Sequence, residues 1–335
     1  MSGLRPILNA IHSAEGPFLL ATLVRVEGSS YRRPGARLLM DANGPVHGSL
    51  SGGCLEADVF ARGQECLATG KPLLLRYDLR SDLDLIWGTG SGCEGVAEIL
   101  VERFEDTGWV KRLESALIER RSIRMGTRLD APRLGERIFL GDEAPDKGDE
   151  APGKDPDLFV EHFKPPVALW IFGAGDDARH LVNMAKSLGY WVGLVDHRPA
   201  FVRPERFPEA DAVKCLRPAS GLAEIPLDAR SAAILITHHF EMDSGWMRLL
   251  MPSQAGYIGL MGHRRRSERI LAELETAPTA AQTARFYSPV GLDLGSESPE
   301  TIALAILAEL QAVFGGKQAV HLRDAKGVIH AGGPR

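Results

Sequence analysis

The feature that most constrains the fold is a glycine-rich turn between a run of apolar residues and a helix. The apolar run VALWIF covers residues 167–172, and the turn after it reads Gly-Ala-Gly-Asp-Asp-Ala. A second apolar run ends at Asp196, about 20 residues after the turn, where such a domain holds a ribose hydroxyl. The pattern predicts a Rossmann domain. Its candidate cofactor-binding residues are Gly173, Gly175, Ala178, Asp196 and Arg198.

Because of two acidic residues, the sequence does not decide whether this turn binds a ligand. Asp176 and Asp177 occupy the predicted helix N-terminus, where free N–H groups and the helix dipole attract a pyrophosphate. Carboxylates stabilise the helix there, but they also repel a ligand phosphate. The turn therefore either binds a dinucleotide or only caps the helix. Arg198, shortly after Asp196, allows a ligand with a different anionic group.

The 335 residues divide into two domains with different patterns, which together make an α/β protein. In the second domain apolar strands alternate with helices, which favours a doubly wound parallel sheet. The first combines a long apolar strand, a hairpin, a helix and two more strands, which predicts a mixed α+β fold. We predict an N-terminal domain over residues 1–140, an acidic Pro- and Gly-rich linker over 141–166, a Rossmann-like domain over 167–316 and a tail over 317–335.

Composition and charge exclude several kinds of partner. The chain has 39 basic and 44 acidic residues and a net charge of −5, whereas nucleic-acid binding requires a basic surface. No apolar run reaches the roughly 18 residues of a membrane span, and the N-terminal residues lack a signal-peptide pattern. We expect a cytoplasmic protein without nucleic-acid or membrane partners. The four cysteines form no C-x-x-C pair, so we predict neither a metal site nor a disulfide framework.

The first domain carries a loop that combines glycines with a cysteine, GSLSGGCLE at residues 48–56. The apolar spacing after it predicts a helix that begins near Cys54. Ser51 can cap this helix, while Gly52 and Gly53 let backbone N–H groups approach an anion. A thiol at a helix N-terminus has a lowered pKa, so Cys54 is the candidate reactive thiolate. The alternative is that Cys54 packs as a small apolar residue.

Two other segments of the first domain complete a possible anion pocket. GSSYRRPG at residues 28–35 offers hydroxyls and guanidinium groups, and GTGSGCEG at residues 88–95 carries a second cysteine. Together the segments predict an anion-binding site with one or two thiols. The thiol candidates are Cys54 and Cys93, and the candidate cofactor contacts are Ser51, Gly52, Gly53, Glu56 and Arg33.

Two histidines and an aspartate follow an apolar run of the second domain. His238 and His239 come directly after residues 232–237, and Asp243 lies a little further on. Ligands of open α/β sheets bind at the carboxyl ends of the strands. We therefore predict that His238 and Asp243 contact a cofactor or transfer protons. The alternative is that they cap or pack the following helix.

Several motifs, in order along the chain, resemble the XdhC/CoxI family, the accessory proteins of xanthine dehydrogenase and related molybdenum hydroxylases. They cover nearly the whole chain up to residue 316, apart from the acidic linker. The chain departs from the family at Glu94, where Gly is usual, at Asp176, where His is frequent, and at His263, where Ser is usual. The motifs are ATLVRVEGSSYRRPGARLLM, HGSLSGGCLEADVF, GTGSGCEGVAEIL, IFGAGDDARHL, VDHRP, ITHHFEMD, YIGLMGHRRR and SPVGLDLGSESPETIALAILAEL.

This resemblance implies a maturation factor, a cofactor chaperone rather than a turnover enzyme. Such a protein binds molybdenum cofactor in its molybdopterin form, assists its sulfuration and inserts it into a xanthine dehydrogenase-type hydroxylase. The cofactor's phosphate suits a helix N-terminus, and its sulfur-bound metal suits a thiol. The implied partners are that hydroxylase and a cysteine desulfurase, and we expect a homodimer because two linked domains allow a site between subunits.

Two alternatives remain at this point. The dinucleotide pattern favours an NAD(P)-dependent oxidoreductase acting on a small molecule. A docking protein for the hydroxylase would share the partner without handling the cofactor.

Overall fold

The computed structural model describes residues 7–8, 10, 16–28, 32–78, 95–104, 108–141 and 155–324. The chain forms two compact units, and the boundary between them lies between Pro165 and Pro166. The sequence pattern also predicts a helix from about Leu4 to Ala14, and most of that range falls outside the described residues.

The first unit is built on a five-stranded antiparallel sheet in the order β3-β2-β1-β5-β4 and a three-stranded antiparallel sheet in the order β7-β6-β8. The mixed α+β prediction for this unit is confirmed. The strands are β1 (Phe18–Gly28), β2 (Arg37–Asp41), β3 (Gly44–Gly48), β4 (Leu73–Asp78), β5 (Gly95–Phe104), β6 (Ile123–Arg128), β7 (Arg137–Phe139) and β8 (Leu158–Phe163), and the helices are α1 (Glu56–Thr69) and α2 (Gly108–Ile118).

Consecutive residues of the long strand β1 are buried over most of its length. Since successive side chains of a strand point in opposite directions, both faces of β1 are buried. Leu19, on one face, belongs to the apolar cluster that contains Val59 and Cys66 of α1. Leu20, on the other face, belongs to the cluster that contains Leu113 of α2. The large sheet is thus covered on both sides, and α1 is fixed against it by its apolar side.

The prediction that residues 141–166 form a linker is wrong for the second half of this range. Leu158–Phe163 forms strand β8, which pairs with β6 along its whole length. Its alternate residues Phe159 and Phe163 are buried, and so is Glu161. The composition around this strand is that of a linker, but its alternating apolar residues complete the core of the first unit.

The second unit contains a parallel sheet of six strands in the order β11-β10-β9-β12-β13-β14. Short 3-10 turns occur at Pro204–Arg206, Pro218–Ser220 and Leu322–Asp324, the last within the predicted tail. The strands are β9 (Ala168–Phe172), β10 (Trp191–Asp196), β11 (Ala212–Cys215), β12 (Ser231–Leu235), β13 (Tyr257–Leu260) and β14 (Phe286–Tyr287), and the helices are α3 (Asp177–Ser187), α4 (Phe240–Leu250), α5 (Arg264–Ala272), α6 (Ala280–Thr283) and α7 (Pro299–Phe314).

Helices cover both faces of this sheet, which confirms the predicted doubly wound Rossmann-like fold. Leu169 and Ile171 of β9 pack in the cluster formed with α3 and α7, while Trp170 and Phe172 pack in the cluster formed with α4 and α5. The strand order reverses between β9 and β12. Ligands of such sheets bind at this switch point, outside the carboxyl ends of the two strands.

Candidate functional site

The loop before α1 is organised around one carboxylate, that of Glu56. Each of its two oxygens accepts three hydrogen bonds from the loop. Oε1 accepts from Ser49 Oγ and from the N–H groups of Leu50 and Ser51, all at 3.0 Å. Oε2 accepts from the Ser51 hydroxyl, from Gly53 N–H at 3.0 Å and from Leu55 N–H at 3.1 Å.

These bonds stabilise the ionised form of Glu56. Burial of the side chain raises its pKa, but the hydrogen bonds from the Ser51 hydroxyl and from backbone N–H groups outweigh burial and lower the pKa from 4.5 to about 2. The carboxylate is therefore ionised at neutral pH. It acts as an internal anion bound by the loop.

In this structure the N–H groups of the predicted phosphate cradle already have acceptors within the loop. Gly53 N–H binds Glu56, and Gly52 N–H donates to Ser49 Oγ at 3.1 Å. Ser51 does not cap the helix, since its hydroxyl accepts from Leu55 N–H at 2.9 Å, ahead of the first turn. Sequence reasoning named Glu56 as a cofactor contact and missed that it binds the loop itself.

Cys54 lies just outside α1 and not in its first turn. The helix begins at Glu56 with Leu55 as N-cap. The half-buried thiol packs against the apolar cluster around Val59, and Sγ lies 3.7 Å from the Ser51 carbonyl oxygen. Gly52 and Gly53 beside it are exposed, and a Cβ on Gly53 would meet nothing within 4 Å. Cys54 is therefore partly exposed and lies next to a segment without side chains.

The structure describes one of the other two first-domain candidates, Arg33. Arg33 is half-buried in the turn before β2, where its carbonyl accepts from Ala36 N–H at 3.0 Å. Cys93 lies outside the described residues. The structure therefore does not bring a second thiol to Cys54 among the residues it describes.

In the second unit the glycine turn joins β9 to α3 as predicted. Gly173 has φ of +122°, and a Cβ there would lie 2.5 Å from the Ile236 carbonyl oxygen. Ala178 is fully buried against the sheet. Gly175 faces open space. Gly173 and Ala178 are thus required by packing, and only Gly175 leaves room for a ligand.

This difference gives a stability prediction for the turn. Gly173→Ala is expected to lower the free energy of unfolding by about 3 kcal/mol, because it combines a left-handed backbone with a clash against the β12 end. Gly175→Ala is the matched control and should change it by less than about 0.5 kcal/mol. Chemical denaturation of both variants measures the two values. Equal losses would contradict the assignment of Gly173 to packing.

Asp196 is buried at the end of β10, and its carboxylate is held by the protein. Oδ1 accepts from the backbone N–H and the Nε of Arg198, both at 2.9 Å. Oδ2 accepts from Ala174 N–H and from Arg198 Nη2, both at 2.8 Å. Burial raises the pKa of Asp196, but the bonds from Arg198 and Ala174 N–H outweigh burial and lower the pKa. The predicted ribose acceptor is therefore part of an internal ion pair.

A second arginine, which sequence reasoning missed, ties the segment after β10 to the glycine turn. Arg206 Nη1 donates to the carbonyl oxygens of Ala174 and Phe201, each at 3.2 Å. Its Nη2 donates to Asp176 Oδ1 at 3.0 Å. The only sequence signal was a proline-rich stretch without periodicity. Asp176 at the start of α3 is therefore paired within the protein.

His238 lies at the switch point, at the end of β12. It has φ of +57°, an uncommon conformation for a residue with a side chain, and it is largely exposed. Its Nε2 lies 3.4 Å from Asp177 Oδ2, so the side chain spans from β12 to the start of α3. His239 follows as the N-cap of α4, and its ring lies 6.2 Å from that of His197. Burial lowers the pKa of His197.

Asp243, the predicted acid or base, is part of the packing. Its side chain is 1% exposed, and Oδ1 accepts from the Thr237 hydroxyl at 2.6 Å. Oδ2 lies 2.7 Å from Arg266 Nη1 of α5, although the N–H groups are not directed at the oxygen. The carboxylate thus joins the end of β12 to α4 and α5 and is not presented to a ligand.

Neither a metal site nor a membrane span is found in the described part of the chain. None of its clusters of His, Cys, Asp and Glu brings three side chains together in a way that suits a metal ion. No helix in the same residues is long and apolar enough to span a membrane.

Two family models match this chain, one in each unit. Residues 11–78 match the XdhC and CoxI family, and residues 169–310 match the XdhC Rossmann domain. A Bacillus subtilis protein, named as a probable subunit of xanthine dehydrogenase, is 32% identical over 92% of this chain and 97% of its own length. The chain belongs to the XdhC and CoxI family.

Other XdhC and CoxI relatives agree with this. The Escherichia coli molybdenum cofactor insertion chaperone PaoD is 26% identical, over 92% of this chain and 87% of its own length. A crystal structure from Bacillus halodurans, described as a xanthine dehydrogenase, superposes with a TM-score of 0.80 at 31% identity. It covers 95% of this chain and 97% of that one. The resemblance seen in the sequence motifs is therefore confirmed.

Proposed function

We propose that this XdhC and CoxI family member is a maturation factor that binds molybdenum cofactor as cargo and inserts it into a xanthine dehydrogenase-type hydroxylase. The observation that carries the proposal is its similarity to the chaperone PaoD over nearly the full length of both chains. The similarity to the B. subtilis protein named for xanthine dehydrogenase supports the same kind of partner.

The loop before α1 is the proposed contact with the cargo, through the thiol of Cys54. A thiol is a soft ligand that suits a sulfur-bound metal centre. Gly52 and Gly53, next to Cys54, are exposed and carry no side chains. The loop's N–H groups bind Glu56, so we assign the loop to the metal end of the cargo and not to its phosphate.

Glu56 has a supporting role in this proposal. Its carboxylate binds the residues on both sides of Cys54, and also Ser51, whose carbonyl oxygen is 3.7 Å from Sγ. It is thus a positioning residue that keeps the thiol in one place. Sulfuration of the cargo, with a cysteine desulfurase as sulfur donor, and a homodimeric assembly complete the proposal.

The proposal predicts that the protein purifies with the cofactor from a host that makes it. Anaerobically purified protein should release a fluorescent oxidised pterin. The cofactor content of Cys54→Ala should be lower by about tenfold or more, because losing a metal ligand weakens binding at least as much as losing a residue that supports a ligand. Cys215→Ala is the matched control, since that thiol is exposed in the second unit. Fluorescence after acid oxidation measures the content.

Two results would contradict the proposal. The first is wild-type protein that carries no pterin and also binds none when titrated with freshly released cofactor. The second is equal cofactor content in the Cys54 and Cys215 variants, which would remove Cys54 from the site. A docking protein that handles no cofactor would bind the apo-hydroxylase equally with and without the Cys54 thiol and would support its maturation equally.

A further inference from the structure

The carboxylate of Asp196 is bound and buried inside the protein. Asp196 receives four hydrogen bonds, three from Arg198 and one from Ala174 N–H, at 2.8 to 2.9 Å. Its side chain is 1% exposed. In a dinucleotide-binding Rossmann domain, the residue at this place accepts hydrogen bonds from ribose hydroxyls. Asp196 has no exposed oxygen to accept them.

Arg198 is itself held where it covers the carboxylate. Its guanidinium carbon lies 3.7 Å from the centre of the Phe201 ring, so the ring supports the face of the group. Arg206 fastens the same segment through the Phe201 carbonyl and to the glycine turn through Ala174. The ion pair is therefore one part of a connected arrangement over the turn, and not a loose surface contact.

The place where a pyrophosphate would lie is also unfavourable. The start of α3 carries Asp176 and Asp177, whose charges repel a phosphate. Arg206 Nη2 lies 3.0 Å from Asp176 Oδ1, and His238 Nε2 lies 3.4 Å from Asp177 Oδ2, so both carboxylates have contacts within the protein. The adenosine ribose and the pyrophosphate of a dinucleotide thus both lack their usual receptor.

We infer that Arg198 is a specificity-determining residue that closes the Rossmann domain to NAD by occupying the ribose position at Asp196. The fold keeps the strand, turn and helix of a dinucleotide-binding domain, but its ribose receptor binds an arginine. This inference does not rest on the proposed function. It argues against an NAD-dependent oxidoreductase, an activity that the glycine pattern alone favours.

Removing Arg198 should uncover the ribose receptor. Adenosine is the first probe, because it has the ribose diol but no phosphate for Asp176 and Asp177 to repel. Wild-type protein should bind neither adenosine nor NADH at millimolar concentration. Arg198→Ala should bind adenosine at least about tenfold more tightly than wild type, as two hydrogen bonds to a carboxylate become available. Saturation-transfer NMR measures adenosine binding, and fluorescence titration measures NADH binding.

The controls distinguish binding at the Asp196 carboxylate from a general loosening of the segment after β10. Arg203→Ala removes an exposed guanidinium that donates to the Ala200 carbonyl, and it should behave as wild type. Dideoxyadenosine, which lacks the diol, should not bind the Arg198 variant. Should Arg198→Ala fail to fold, Arg198→Lys keeps a cation that lacks the guanidinium fork and should give a smaller gain.

Saturable NADH binding by the wild type, lost in Asp196→Ala, would overturn the inference. A folded Arg198 variant that binds adenosine no better than wild type would overturn it too. Neither result would affect cofactor content, which depends on Cys54 in the other unit.

Discussion

Glu56→Gln is expected to lower the free energy of unfolding by about 2 kcal/mol at pH 7 and to loosen the loop that carries Cys54. In Gln an NH2 group replaces one carboxylate oxygen, and it cannot accept the three hydrogen bonds that this oxygen accepts in Glu56. Those donors then lose their acceptor, and unsatisfied donors are costly. Hydrogen exchange of the loop amides should rise in the variant, while exchange in the second unit should stay unchanged.

The effect depends on pH with a defined sign. The pKa of Glu56 is lowered from 4.5 to about 2, so its stabilisation is fully present above pH 4.5 and is lost as the pH falls towards 2. The shift alone corresponds to about 3 kcal/mol, and partial exposure reduces this to about 2 kcal/mol. Denaturation at pH 7 and pH 3 should therefore show wild type and variant approaching each other in acid.

The control for this variant is Glu65→Gln on the exposed side of the same helix. Glu65 is a solvated carboxylate, and its removal should leave loop exchange and stability within about 0.5 kcal/mol of wild type. If Glu56→Gln left the loop amides as protected as in wild type, Glu56 would not be the residue that positions Cys54. The cofactor content of Glu56→Gln then shows whether Cys54 needs an ordered loop in order to bind the cofactor.

Arg37→Met is expected to have the largest effect on the first unit, about 3 to 5 kcal/mol. Arg37 Nη2 lies 2.5 Å from Glu161 Oε2, and the two side chains are 5% and 11% exposed. The pair joins β2 to β8. Without the guanidinium, the Glu161 carboxylate is left buried without a counter-charge, which costs far more than the loss of a surface pair. Urea denaturation followed by circular dichroism measures the loss.

The double variant Arg37→Met with Glu161→Met tests the cause. It removes both charges and should recover most of the lost stability, because apolar residues of similar size replace a buried ion pair at little cost. Arg76→Met is the surface control: Arg76 is 55% exposed and binds Glu98 at 3.0 Å, so its loss should cost less than about 1 kcal/mol. A double variant as unstable as the single one would show that packing, and not the unpaired charge, is responsible.

Much of the fold was predictable because its signals are local. The strand, turn and helix from β9 to α3 follow from apolar runs and turn residues close together in the chain. The hairpin of β2 and β3 was predictable for the same reason, and it is present. The start of α7 has an equally local signal, because Ser298 caps the helix and Pro299 follows it. Strand β8 was missed because the residues before it are acidic and rich in Pro and Gly, and because its partner β6 is far away in the sequence. Pairing between distant segments leaves little trace in local composition.

The candidate sites divide in the same way. The sequence by itself determined the Rossmann architecture, the glycine-flanked position of Cys54 and the family motifs, because each depends on residue types at short spacing. Only the tertiary structure decided which groups remain available to a ligand. Glu56 uses the N–H groups that were expected to bind a phosphate, and Arg198 uses the carboxylate that was expected to bind a ribose. Whether a donor or acceptor is free depends on side-chain conformation and burial, and residue type and spacing do not specify these.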